Sequence, residues 1–123
     1  TQSRRIIMAF KFTHEGITMR VQVNSLLARV IGKNAITIWN TMFFYGKKKG
    51  VPQQQQISGY LLAHEWRHVK QWKTLGFWGF IWTYSKDMWD GYQLTDALEA
   101  EGHQYGLENA LRFEPYAKAI RNH

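Results

Sequence analysis

The pentapeptide His64-Glu65-Trp66-Arg67-His68 constrains this chain more than any other segment, because only a helical backbone brings its three donors to common use. On an α-helix, residues four apart lie one above the other, so both imidazoles turn toward one ion, while Glu65 stands about 100° round the axis. That offset suits a carboxylate that touches a metal's water without binding the metal. The flanking residues favour a helix too. Pro52 is a good first-turn residue, and from there to Leu75 only Gly59 intervenes, at a cost of about 1 kcal/mol relative to Ala. Gln53-Gln54-Gln55-Gln56 read as its polar first turns and Gly76 as its stop. Ile57, Leu61, His64, His68 and Leu75 recur at helical spacing, which predicts a core-facing stripe that carries both histidines.

Upstream, the pattern is that of strands. Residues 4–12 and 17–23 are rich in β-branched and aromatic residues, the second run alternating, with His14-Glu15-Gly16 as the turn between them. Asn24-Ser25 suit the cap of a short helix through Leu26, Leu27, Val30 and Ile31, closed by Gly32 and Asn34. Residues 35–45 then read as one or two strands bent near Asn40, and Gly46 and Gly50 enclose a lysine turn. Downstream, helices are expected from Phe77 to about Met88 and, after a turn at Gly91, from a cap at Thr95 or Asp96 to about Leu111. A short tail follows Pro115, open to a helix of its own.

Composition narrows the chemistry. A length of 123 residues, 45% of them hydrophobic, fits a single domain over residues 1–123 that buries about two-thirds of its unfolded surface. No cysteine is present, which excludes disulfides, thiolate ligands and therefore zinc fingers; any metal is left to His, Asp, Glu or backbone oxygen. The longest apolar run, Leu75 to Tyr84, is about half a bilayer span, so no transmembrane segment is expected. No signal peptide is legible at the N-terminus. The net charge of +7 points either to an anionic partner (nucleic acid, lipid, cell-wall polymer or acidic protein) or to solubility alone. No basic-helix or aromatic-sheet signature singles out nucleic acid. The six tryptophans, at 39, 66, 72, 78, 82 and 89, are expected in the core and at its rim.

Zinc in a hydrolase takes three protein ligands and keeps one position open, so His64 and His68 need a third donor. Glu99, Glu101 and His103 on the later helix are all suited to it. In these segments the chain resembles the gluzincins, the glutamate-ligand zincins, and above all their compact members. The resemblance covers about residues 35–106. Residues 35–45 look like the strand before the active-site helix, residues 61–72 like that helix, and residues 98–106 like the second metal helix. In that second helix the family's ligand glutamate is followed three positions later by a small residue, which selects Glu99, with Gly102 as the small residue, over Glu101. The chain departs from the family where an aspartate usually orients a zinc histidine, because His103 stands there.

The resemblance implies an α+β, minimal zincin-like domain, a small mixed sheet packed on the HExxH helix and on a second ligand helix. It implies a Zn2+ metallopeptidase with His64, His68 and Glu99 as ligands and Glu65 as the base, acting on a peptide or protein, cell-wall peptide included. It further implies that the edge strand, at about Thr41 to Tyr45, pairs with an extended substrate. Tyr92, Tyr105 and His103 are candidate oxyanion donors, and Gln71 is expected to line the cleft while Trp72 packs in the core. The compactness of the chain also fits an alternative, a non-catalytic structural or binding component of a larger assembly such as a virus particle or secretion apparatus.

Overall fold

A tight hairpin opens the part of the chain that the structure, a computed structural model, describes: residues 8–90 and 93–123. Strands β1 (Met8–His14) and β2 (Ile17–Val23) pair antiparallel, from Met8↔Val23 to His14↔Ile17. The turn is Glu15-Gly16, with φ of 49° and 78°, the left-handed pair whose twist matches that of the strands it joins. His14 is therefore the last strand residue rather than part of the turn. Residues 4–7 of the expected first strand lie outside the described residues. Alternation on β2 buries Met19, Val21 and Val23 and exposes Arg20.

Helix α1 (Leu26–Ile31) is capped by Ser25, whose Oγ accepts from Ala28 N at 3.4 Å, and ends on Gly32 at φ 84°. Two strands then form where one or two were expected. β3 (Ala35–Ile38) turns at Trp39-Asn40, with Trp39 at φ 57°, into antiparallel β4 (Thr41–Phe44). β4 also runs parallel to β2, which gives the order β1-β2-β4-β3. This corrects the expected edge: β4, containing most of the segment Thr41 to Tyr45, is paired on both sides, and among the described residues the edges are β3 and β1. Met42 and Phe44 face inward from β4 and are fully buried, so the more apolar half of the segment takes the interior position.

The motif helix starts later than its sequence suggests. Gln53–Gln56 form a separate 3₁₀ turn, and α2 (Gly59–Leu75) begins after Ser58, whose Oγ accepts from Leu61 N at 3.1 Å. The glutamines spend their amides on other segments: Gln53 bonds both backbone groups of Gly46, while Gln54 and Gln55 donate to Ile120 O and Arg121 O. The buried face of α2 is Leu62, Ala63, Trp66, Val69 and Trp72. Leu75 is exposed, so the histidines border the core stripe instead of sitting in it.

α3 (Phe77–Asp90) is pinned by Phe80, which stacks on Trp72 with ring centroids 3.9 Å apart. α4 (Gln93–Arg121) is far longer than expected. Its backbone is already helical at Thr95 and Asp96, so neither is the cap, and it continues through Pro115 to Arg121. A proline inside a helix costs about 3 kcal/mol, and here Phe113, Ala117 and Ile120 bury themselves against the core, worth about 1.5–3 kcal/mol for each large side chain. α2 and α4 pack closely through glycines. A Cβ added at Gly106 would lie 2.8 Å from Tyr60 Cε1, and one at Gly59 would strike Ala110 O.

The result is a small α+β domain in which a mixed four-stranded sheet and the helices share one core, built from Met19, Val21, Val23, Met42, Phe44, Leu62, Trp66 and Phe113 among others. No helix among the described residues is long and apolar enough to cross a membrane.

Candidate metal centre

Helix α2 presents His64 and His68 toward α4. Their rings lie 5.0 Å apart between centroids, and both Nε2 atoms approach one oxygen, Glu99 Oε1, at 3.1 Å each. Three donors around an ion at about 2.0–2.1 Å in tetrahedral geometry are about 3.3 Å apart. The two distances from Glu99 Oε1 therefore match the donor–donor separation of a zinc coordination shell. The donor atoms of His64, Glu65 and His68 also lie within 4.8 Å of one another. Glu65 differs from Glu99 in its surroundings. It is buried, its Oε1 accepts from Thr37 Oγ1 at 2.8 Å, and its Oε2 stays 4.0 Å from His64 Nε2. Glu99 is half-exposed and touches both imidazoles.

Close approach of α4 to the two rings depends on Gly102. A Cβ there would lie 3.2 Å from His68 Cε1 and Nε2 and 3.4 Å from His64 Nε2, tighter than side chains ordinarily pack. Gly102 sits three residues after Glu99, nearly one turn on. One helix face thus supplies both the carboxylate and the space beside the rings.

Each histidine is held from behind. His68 Nδ1 lies 2.8 Å from Gln71 Oε1, an amide oxygen that only accepts, so Nδ1 carries a proton, and whenever the ring is neutral its lone pair is the one on Nε2. Gln71 Nε2 donates in turn to Leu98 O and to Glu101 Oε1, and Arg67 Nε donates to the same Glu101 oxygen at 2.8 Å. Across the site, Tyr60 OH bridges His64 Nδ1 at 3.3 Å and His103 Nδ1 at 2.6 Å. With His64 Nδ1 donating to the hydroxyl and the hydroxyl donating to His103, Nε2 of His64 is likewise left for a metal.

The electrostatics follow from these contacts. Hydrogen bonds from His64 and then His68 hold the Glu99 carboxyl well below the usual carboxylate range. Burial of His68 disfavours its charged form, but the Glu99 hydrogen bond, the Glu65 charge and Gln71 outweigh it and raise its pKa. Glu101 is pulled down, first by Arg67 and then by Gln71. Burial, with the charges of Glu65 and Glu99, pushes the Tyr60 hydroxyl up.

Of the expected site residues, the structure gathers His64, Glu65, His68 and Glu99. Glu101 and His103 are turned elsewhere, to Arg67 with Gln71 and to Tyr60 respectively. Gln71 does not line the cleft; it is buried behind His68. Tyr105 stacks on Trp66, with centroids 5.5 Å apart, and stands away from the cleft lining. Tyr92 lies outside the described residues. Thr37 and Tyr60 enter the site without having been expected. Tyr60 had a signal, since it stands one turn before His64 on the same face; Thr37 had none, because only the folding of β3 against α2 brings it to Glu65.

The centre opens into a groove of about 900 Å³. One wall is β3 with the Gly32–Asn34 segment before it, and the other includes Phe80 and Ile81 of α3. Leu61 and Trp72 line the groove beside the site, and Trp72 Nε1 donates to Thr37 O at 3.2 Å. Compared with protein-family profiles, with curated proteins and with solved structures, the chain matches none.

Proposed function

We propose that the chain is a zinc-dependent metallopeptidase of the gluzincin type, with His64, His68 and Glu99 as metal ligands and Glu65 as the base. The observation that carries this reading is the position of Glu99 Oε1, 3.1 Å from both Nε2 atoms although it comes from a separate helix 31 and 35 residues away. An acid in an early turn of α4 needs no metal to exist, but one that meets both imidazoles over a glycine completes a three-donor set. Both histidines have their outer nitrogen engaged, the arrangement that fixes metal-binding imidazoles. Zinc held by His64, His68 and Glu99 would supply Lewis acidity, lowering the pKa of water to about 7 and polarising the carbonyl to be cleaved.

The protein's own part is proton transfer and positioning. Glu65 has one oxygen fixed by Thr37 and the other directed to the site, so it can accept the proton of the attacking water and return it to the leaving amine. Peptides are the substrates favoured by the groove, because among the described residues β3 has a strand partner on one side only and an extended peptide can add to the other. Leu61, Trp72, Phe80 and Ile81 give that groove apolar walls, which favours substrates with a large apolar side chain near the cleaved bond.

The test is Glu65→Gln. It is expected to retain zinc while peptide hydrolysis falls by about 10²–10⁴-fold, the usual worth of a general base. Undiminished hydrolysis in that variant overturns the reading. Stoichiometric zinc with no turnover across broad peptide libraries supports the other one, a non-catalytic component of a larger assembly.

A further inference from the structure

Two helices turn their largest apolar side chains outward. In α1 only Ala28 is buried, while Leu26, Leu27, Val30 and Ile31 are 55%, 39%, 75% and 47% exposed. In α3, Phe80 faces the core, and Trp78, Trp82 and Trp89 are 78%, 70% and 90% exposed. At 100° per residue these three tryptophans fall within about 40° of one another, on the side opposite Phe80. They are not the core and rim residues their composition suggested. Single exposed apolar residues are ordinary, but clustered ones mark a binding surface.

Both helices border the same groove. Gly32 and Lys33, directly after α1, line one side of it, and Ile81 of α3, itself 40% exposed, lines the other. Cations predominate along this part of the chain, although half-exposed Glu99 also lines the groove and Asp87 and Asp90 belong to α3. Residues 16–86 contain ten lysines and arginines and a single acid, Glu65, which is buried in the site. Around α1 the cations are Arg29, Lys33 and the run Lys47 to Lys49, all exposed, with Lys47 Nζ donating to Gly32 O at 2.8 Å. Aliphatic and tryptophan side chains ringed by cations complement an anionic lipid surface, where tryptophan settles at headgroup depth and lysines meet the phosphates. Nucleic acid makes no use of four exposed aliphatics, and these side chains stand on a two-turn helix rather than line a pocket for a folded partner.

We propose that the groove-bearing face is a peripheral docking surface for anionic lipid bilayers, with α1 and the N-terminal half of α3 entering the headgroup region. This proposal stands apart from the metallopeptidase reading, since its test reads binding and not turnover. The full chain is co-sedimented with vesicles of phosphatidylcholine alone and with about one-third phosphatidylglycerol. Binding is expected to be at least about tenfold tighter to the anionic vesicles and to weaken with salt. Val30→Ser with Ile31→Ser, and separately Trp78→Ser with Trp82→Ser, are each expected to weaken it about tenfold or more, because each pair removes inserted apolar area. All four positions are exposed, and circular dichroism checks that the fold is kept. No binding to anionic vesicles at millimolar lipid overturns the proposal. So does binding that both double variants leave unchanged, or equally tight, salt-sensitive binding to soluble heparin or DNA, which would assign the surface to polyanions in general.

Discussion

Glu99 reaches the two imidazoles on a helix face that Gly102 keeps clear, and this pair of residues sets what single substitutions should do. In Gly102→Ala the new Cβ would press on His68 at 3.2 Å, so α4 or the ring must shift by a few tenths of an ångström. Tyr60→Phe removes the hydroxyl behind His64 and keeps the ring packed against Gly106. Loss of such outer partners typically lowers metal affinity 10–100-fold. We predict a weakening of about that size for Tyr60→Phe in chelator competition, and a smaller one for His103→Ala, which touches His64 only through the tyrosine. An unchanged affinity in Tyr60→Phe would contradict the bridging role. That His64, Glu65 and His68 come together was legible from spacing, because helical periodicity fixes neighbours within a helix; spacing left Glu99, Glu101 and His103 open, and the approach of Glu99 to the pair is set by how α4 packs on α2. Thr37 and the true place of Gln71 were not legible, because a hydrogen bond between elements has no period in the sequence.

Away from the centre, His14 offers a test by pH. Burial disfavours its charged form; nearby Glu15 pulls the other way and Arg112 the same way, and the net pKa is lowered from 6.5. Its Nδ1 lies 3.0 Å from Tyr116 OH. As pH falls below 6.5 the unfolded chain takes up this proton before the folded one does, so stability is full above 6.5 and declines below it. His14→Phe is predicted to flatten the fall in urea midpoint between about pH 6.5 and 5 relative to the parent protein. Equal slopes in the two proteins would mean that His14 is not held neutral.

Elements differ in how far local sequence controls them. The β1–β2 hairpin, α1 and the bend at Trp39-Asn40 form where alternation and turn chemistry put them. The start of α2 and the end of α4 do not, and the reason is tertiary in both cases. Gln53, Gln54 and Gln55 give their amides to Gly46 and to the last carbonyls of α4, and Gln56 gives its amide to Lys48 and Val51, so they serve better as a clasp than as a helical turn. Pro115 fails to stop α4 because Phe113, Ala117 and Ile120 complete the core on either side of it. Strand order was illegible for a similar reason: β3 and β4 have comparable patterns, and only the pairing of β4 with β2 decides which is the edge. At this scale Gly59→Ala is informative. Its Cβ would meet Ala110 O and Glu114 N across the α2–α4 contact, so it is expected to cost about 1–3 kcal/mol in urea unfolding, where an Ala in an open helix would instead stabilise.

The whole molecule joins these parts in one direction. The sheet presents an edge, β3, beside the buried Glu65; α2 and α4 cross to bring three donors together; and α3 closes the far wall of the groove through the Trp72–Phe80 stack. The central claim concerns which carboxylate serves the metal, because Glu65 and Glu99 both stand close to His64. It is tested most directly by zinc per chain, measured by elemental analysis after loading with equimolar zinc and dialysis, for the parent protein, Glu65→Gln and Glu99→Ala. One zinc per chain is predicted in the first two and a marked loss in the third, with each variant's fold checked by circular dichroism. Zinc retained by Glu99→Ala and lost by Glu65→Gln would contradict the assignment of ligand and base, and a parent protein that holds no zinc would contradict the metal centre itself.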